Sequence, residues 1–171
     1  MKTDRVVAHG RASHATLSWL HGRRVKSLSM SDAPQHFGVP DPKEREHVEQ
    51  ACRLLLSVPL GEQLAAGGTA TEHLTIDRPE VRRAIELAKR LGPGDPVDHL
   101  EIVYDNLHAT LASPKIWSGI CALASALLRH RTMSGERVDA VLKGAMMRGE
   151  PKGQVFPITR RIYVERGDPR R

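Results

Sequence analysis

The chain has no long apolar run. A membrane-spanning helix needs a run of about 18 apolar residues, and the sequence contains no run of that length. The amino terminus also lacks an apolar segment followed by a small-residue cleavage site, the pattern of a secretory signal. We therefore expect a soluble, cytoplasmic protein with no membrane partner.

Cysteine is scarce, and the common catalytic motifs are missing. Cys52 and Cys121 are the two cysteines, and both lie within apolar patterns of helical spacing. Such a position favours a buried, reduced thiol over a disulfide, and neither cysteine has the local signature of a nucleophile. The sequence also contains neither a G-x-x-x-x-G-K-[ST] phosphate loop nor a G-x-S-x-G elbow.

The charge is positive and concentrated at the ends of the chain. The net charge is +6 over 171 residues, and residues 1–30 hold six basic side chains against one acidic. Residues 149–171 hold six against three, but their only aromatics are Phe156 and Tyr163, and no helix-turn-helix, zinc-finger or RNA-binding signature is present. A solvated basic surface is therefore favoured, and a nucleic-acid-associated scaffold working through the basic ends is kept as an alternative.

Helix start signals recur along the chain. Capping residues, most of them followed by proline, precede apolar patterns of helical spacing at Asp41, Asp77, Asp95, Ser113 and Ser134. An earlier helix is predicted from Asp4 as its cap to Gly22 as its stop. Pro59 is expected to kink or divide the helix that follows Asp41.

The alternation of Val25, Leu28 and Met30 predicts one short strand after the first helix. We predict a mainly α (α+β) fold with this short β element, forming a domain over residues 1–148. Residues 149–171 form a basic C-terminal extension in which Ile162 and Val164 are consistent with a short strand.

The first helix carries two histidines that invite comparison with a zinc site. His9 and His14 are five residues apart, which leaves their rings about 140° apart around a helix axis. The zinc-binding HExxH motif uses a spacing of four, so that both imidazoles lie on one face. If His9 were the first histidine of this motif, the next residue would be glutamate, but it is Gly10. Taken literally, this is not a zinc-protease motif.

Three stretches in a common order nevertheless resemble a family. ASHATLSWLHGRRVKSLSM is similar to the HEAGHA helix, glycine turn and first strand of the proteolytic domain of FtsH-type zinc proteases and their small stand-alone relatives. LLLSVPLGEQLAAGG resembles the LxAGxAAE segment of that family, with Glu62 in the position of its glutamate. WSGICALASALLRHRTMSGERVDAVL resembles its late W-x-x-V-x-ALA-x-x-L and L-x-G-x-x-V pattern. The resemblance implies a zincin-like helical domain.

The same resemblance implies that the catalytic motif is degraded. His14 takes the place of the second zinc histidine, while Gly10 and Arg11 stand where the first histidine and the general-base glutamate belong. Glycine cannot bind a metal, and arginine stays protonated and repels a divalent cation. The third ligand of the family corresponds to Asp77 or Glu80, although helix capping is the favoured role of both.

Three functions follow as hypotheses. The leading one is a polypeptide-binding or regulatory module without enzymatic activity or cofactor, which keeps the groove beside the first helix and strand for a protein or peptide partner. The second is an active zinc metallopeptidase whose metal ligands are His9, His14 and Asp77, reached through a distortion at Gly10, with Glu62 as a conceivable base. The third is the basic nucleic-acid-associated scaffold. No catalytic residue is assigned.

Overall fold

A computed structural model describes residues 3–32, 35–36, 45–67 and 77–147. The elements in chain order are α1 (Asp4–Leu20), β1 (Val25–Ser29), β2 (Gln35–His36), α2 (Arg45–Ala65), α3 (Pro79–Ala88), α4 (Pro96–Ala112), α5 (Pro114–His130), β3 (Thr132–Ser134) and α6 (Gly135–Met147). The prediction of a mainly α-helical domain with a short β element after the first helix is confirmed. The predicted signals at Asp41, Ile162 and Val164 and the division at residue 148 lie outside the described residues.

Helix α1 is central to the fold. It makes its most extensive contact with α2 and also packs on α5 and β1. Ala8, Ala12 and Ala15 are fully buried along it, because small side chains allow the neighbouring helices to approach closely. The helix ends in a glycine turn in which the Arg23 N–H donates to the Ser18 carbonyl at 2.9 Å and Gly22 has a φ of 70°.

The three described strands form an antiparallel sheet in the order β2-β1-β3. β1 lies in the middle, with Leu28 opposite Met133 of β3, and both side chains are buried. The alternation in the sequence correctly predicted β1. It gave no sign of β3, which has only three residues, two of them exposed, and which is defined by its pairing with β1.

Helices α4 and α5 are joined by a single residue. Ser113 is both the C-cap of α4 and the N-cap of α5, and the two helices are bent by 76° at this joint. No single described helix is long and apolar enough to cross a membrane; only α4 and α5 taken as one bent pair have the necessary length and composition. Several fully buried residues, among them Leu111 and Leu123, belong to these helices.

Some predicted helix boundaries need correction. Thr3, not Asp4, is the N-cap of α1, and its hydroxyl accepts from the Val6 N–H at 3.4 Å. Asp77 does not cap α3 as predicted, since Arg78 occupies the N-cap position without a side-chain hydrogen bond. Helix α2 is continuous through Pro59, so the proline does not divide it. The start signals at Asp95, Ser113 and Ser134 are confirmed, with Asp95 accepting from the Val97 N–H at 2.8 Å.

Candidate functional site

The first candidate region is the crossing of α1 and α2. A Cβ atom placed on Gly10 would lie 2.7 Å from the Glu62 Cγ and 3.0 Å from the Val58 carbonyl oxygen. A Cβ on Gly61 would lie 2.6 Å from the Ser13 Cβ and 3.0 Å from the His9 carbonyl oxygen. These distances are below normal contact, so both positions have room only for glycine. We call this contact the glycine crossing, formed by Gly10 and Ser13 on α1 and by Val58, Gly61 and Glu62 on α2.

Glu62 lies inside the glycine crossing. Its side chain is 10% exposed, and it is paired with Arg78 at the start of α3. The sequence alone did not show whether Glu62 approaches the first helix, and the structure places it directly against Gly10. A bulkier residue at position 10, such as histidine, would therefore collide with the buried carboxylate side chain and with the backbone of α2.

His9 lies on the side of α1 that packs against α5. Its ring stacks on Trp117, with centroids 5.7 Å apart and planes inclined by 29°. Its Nδ1–H donates to the Arg5 carbonyl at 2.7 Å, since a carbonyl can only accept. Burial is the main cause that lowers the pKa of His9 from 6.5, and the hydrogen bond to Arg5 opposes that shift. His9 is therefore a neutral core histidine near pH 7.

His14 and Asp77 have different neighbours from His9. The Nδ1–H of His14 donates to the Leu54 carbonyl of α2 at 2.9 Å. Asp77 is exposed beside the N-cap of α3, and Glu80 is half-buried in the first turn of that helix. The two histidines thus contact different helices, as their spacing of five predicts.

The described residues do not assemble a zinc site from these ligands. Within residues 3–32, 45–67 and 77–147, no group of three or more His, Cys, Asp or Glu is placed to hold a metal ion. Zinc sites in proteins use three or four such ligands around one point. The ring of His9 lies against Trp117 on the α5 side of α1, so the described arrangement does not bring His9, His14 and Asp77 together around one point.

The cysteines are also unsuited to nucleophilic chemistry. Both are free thiols, as expected. Burial raises the pKa of the Cys52 thiol to about 12, and its S–H points to the Ala84 carbonyl at 3.6 Å. Burial raises the pKa of Cys121 too. A catalytic cysteine needs a lowered pKa, so these two side chains are packing residues.

The second candidate region is an open groove of about 680 Å³ at the other end of α1. One wall is the end of α1, its glycine turn and the start of β1; the opposite wall is the first part of α6. We call this the basic groove. It is lined by Trp19, Gly22, Arg23, Arg24, Val25, Lys26, Ser134, Gly135, Glu136, Val138, Asp139 and Lys143.

One hydrogen bond joins the two walls of the basic groove, and an ion pair within α6 holds its acceptor. The indole N–H of Trp19 donates to one carboxylate oxygen of Asp139 at 2.9 Å, and the Lys143 ammonium lies 2.8 Å from the other. The hydrogen bond from Lys143 is the largest cause that lowers the pKa of Asp139, followed by that from Trp19; the charge of Arg24 acts in the same direction. Asp139 is therefore a charged and already partnered acid.

The sequence predicted a groove beside the first helix and strand only through the family resemblance, and the role of that groove stays a prediction. It did not predict that α6 forms its second wall, because Trp19 and Asp139 are 120 residues apart. Two signals were available: the basic triplet of Arg23, Arg24 and Lys26 after a glycine turn, and Asp139 four residues before Lys143 on one helix face.

Comparison with known proteins adds no family to this description. No protein-family model matches the chain, and no curated protein matches it.

Proposed function

We propose that this protein is a non-catalytic, polypeptide-binding or regulatory module with a framework similar to the FtsH-type peptidase domain. The observation that carries the proposal is the glycine crossing. Gly10 stands where the resemblance expects a zinc histidine, and Glu62 and the Val58 carbonyl fill the space that a side chain there would need. The position is therefore closed by packing as well as changed in sequence.

The open surface lies elsewhere on the same helix. The basic groove has a volume within the range of sites that bind small molecules and short segments of chain, and its lining combines an aromatic ring, charged groups and backbone. A polypeptide can use all three. The middle strand of the sheet is not available for pairing with a polypeptide, because β1 lies between β2 and β3. Three of its residues pair with β3.

Metal content and peptidase activity test the absence of catalysis. We expect protein purified without added metal to contain zinc far below one ion per chain and to leave unstructured polypeptides uncut. His14→Ala should change neither result. Zinc near one per chain, removed by a chelator together with cleaving activity, would overturn the proposal and support the metallopeptidase alternative.

Binding is tested separately, on the groove. Trp19→Ala removes the aromatic part of its lining. The control is Ile102→Ala, which changes an exposed apolar residue of α4 that does not line the groove. We expect a polypeptide ligand selected on the wild-type protein to bind the control normally and the Trp19 variant about tenfold more weakly. A loss of this size is typical when a side chain central to an interface is removed. Equal binding by both variants would remove the groove from the proposal.

A further inference from the structure

We propose that the basic groove binds an acidic segment of a polypeptide. This inference rests on the proposed function and adds the chemistry of the ligand. Its lining contains four basic side chains and two acidic ones. The pocket therefore carries a surplus of two positive charges.

The positive charge is concentrated on one wall. Arg23 and Arg24 lie between the glycine turn and β1, Lys26 lies in β1, and Arg24 and Lys26 are exposed. Arg23 is held by a neutral partner, since its guanidinium donates to the Gln50 side-chain oxygen at 2.7 Å. Such a hydrogen bond orients the side chain and leaves its charge uncompensated. Guanidinium groups pair with carboxylates through two parallel hydrogen bonds, which favours an acidic ligand on this wall.

The opposite wall argues for a polypeptide over a nucleic acid. It carries the carboxylates of Glu136 and Asp139, and Asp139 is already bound by Trp19 and Lys143. A phosphate backbone has a negative charge at every nucleotide and would place some of them against this wall. A peptide with a few acidic residues presents its carboxylates to Arg24 and Lys26, and its neutral groups face Trp19 and α6.

The chain's own C-terminal extension has the wrong charge to be the occupant. Residues 149–171 contain six basic and three acidic residues. The groove therefore repels the extension on balance, whereas an acidic segment of another protein is attracted.

The test measures binding of fluorescent probes to the full-length protein by anisotropy. The probes are a twelve-residue peptide of glutamate, serine and glycine, the same peptide with lysine for glutamate, a neutral serine and glycine peptide, a single-stranded oligonucleotide with the charge of the acidic peptide, and a peptide of residues 149–171. We expect the acidic peptide to bind most tightly, and we expect its binding to weaken as the salt concentration rises.

Two matched variants locate the site. Arg24→Glu combined with Lys26→Glu reverses two exposed charges in the groove, and we expect it to weaken binding of the acidic peptide by about tenfold or more. Arg82→Glu combined with Arg83→Glu makes the same change of net charge on exposed positions of α3, which packs on α2 and α4, and should change binding by less than about twofold. Equal losses in both variants would overturn the inference.

The remaining outcomes separate this inference from the proposed function. Tighter binding of the oligonucleotide or of the 149–171 peptide than of the acidic peptide overturns the acidic-segment inference. Binding of the neutral peptide equal to that of the acidic one, lost in Trp19→Ala, overturns it too but leaves a polypeptide-binding groove. Binding of no probe at all overturns both. Stoichiometric zinc with peptidase activity overturns the non-catalytic function even where the acidic peptide binds.

Discussion

Near its amino-terminal end, α1 is packed so closely against α2 that Gly10 has no room for a methyl group, whereas at its carboxyl end Trp19 and Gly22 line an open groove. Gly10 is required because another helix occupies the space of its side chain. Gly22 has nothing within 4 Å of the position of a Cβ, and its requirement is the φ of 70° that the turn needs. The same residue type therefore serves packing at one end and backbone conformation at the other.

The charged residues of the two regions differ in their exposure to solvent. Glu62 in the glycine crossing is buried and paired with Arg78, so its charge is used inside the protein. Arg24 and Lys26 in the basic groove are exposed to solvent. The half of α1 that the zinc-protease motif would occupy is thus structural, and the accessible chemistry begins at Trp19, about 13 Å further along the same helix.

The largest expected effect comes from closing the glycine crossing with a side chain. Gly61→Val should lower the free energy of unfolding by about 3 kcal/mol, because its Cβ would overlap Ser13 and approach the His9 carbonyl. Urea denaturation followed by circular dichroism measures this loss. Ser13→Gly in the same chain removes the nearest obstacle and should recover part of the stability. A loss that is identical in the two backgrounds would show that the clash lies elsewhere.

The ion pair inside the crossing gives the next largest effect. Arg78→Met leaves the Glu62 carboxylate buried without its cation and should cost about 2 kcal/mol, less than for a fully buried pair because the Arg78 side chain is 22% exposed. Urea denaturation again provides the measurement. The control is Lys89→Met, which removes the exposed partner of Glu86 and should cost less than about 0.5 kcal/mol. Similar costs for the two variants would contradict the distinction between buried and exposed pairs.

Gly22→Ala tests the open end. With no atom near the new methyl group, only the left-handed backbone is penalised, and the free energy of unfolding should fall by about 1 kcal/mol. Thermal unfolding of Gly22→Ala and of Gly61→Val, measured side by side, compares the losses of stability at the two glycines. A loss at Gly22 equal to that at Gly61 would mean that space is not what distinguishes the two ends.

The smallest effect is a change in pH dependence. Burial lowers the pKa of His9 below its value of 6.5 in the unfolded chain, so the unfolded state binds more protons as the medium is acidified. The resulting stability is fully present above pH 6.5 and declines as the pH falls through 6.5 toward the lower pKa of the folded state. His9→Phe keeps a ring against Trp117 and removes the titrating group.

We therefore expect the free energy of unfolding to fall less steeply between pH 7 and pH 5 in His9→Phe than in the wild type. The pKa values of His21 and His108 are lowered by burial as well, so a reduced dependence remains in the variant. A variant with the same pH dependence as the wild type would show that His9 is not a buried neutral histidine.

Much of the fold follows from local patterns. Proline and capping signals located α4 and α5, because a helix start depends on a few adjacent residues. Pro59 was expected to kink or divide α2, and it does not divide the helix. Proline disfavours a helix interior locally, yet the segment around it is buried against α1, and tertiary packing keeps α2 continuous. The missing cap at Asp77 is a shift of one residue, which local signals do not resolve.

The two candidate regions were predictable to different degrees. The spacing of His9 and His14 correctly indicated different directions around the helix, since that depends on helix geometry alone. The approach of Glu62 to Gly10 and of Asp139 to Trp19 depends on how distant segments pack, and a single sequence carries no direct signal for it. The resemblance to FtsH-type peptidases remains a proposal that metal analysis and binding experiments test.

The glycine crossing also fixes an order in which this sequence can change. A side chain at position 10 is excluded as long as Glu62 fills its space, and shortening Glu62 leaves Arg78 without its partner. Substitutions at the three positions are therefore coupled, and each single step passes through a less stable protein. A larger residue at position 10 therefore becomes possible only after the neighbouring helices have been altered, which makes the present arrangement difficult to change one mutation at a time.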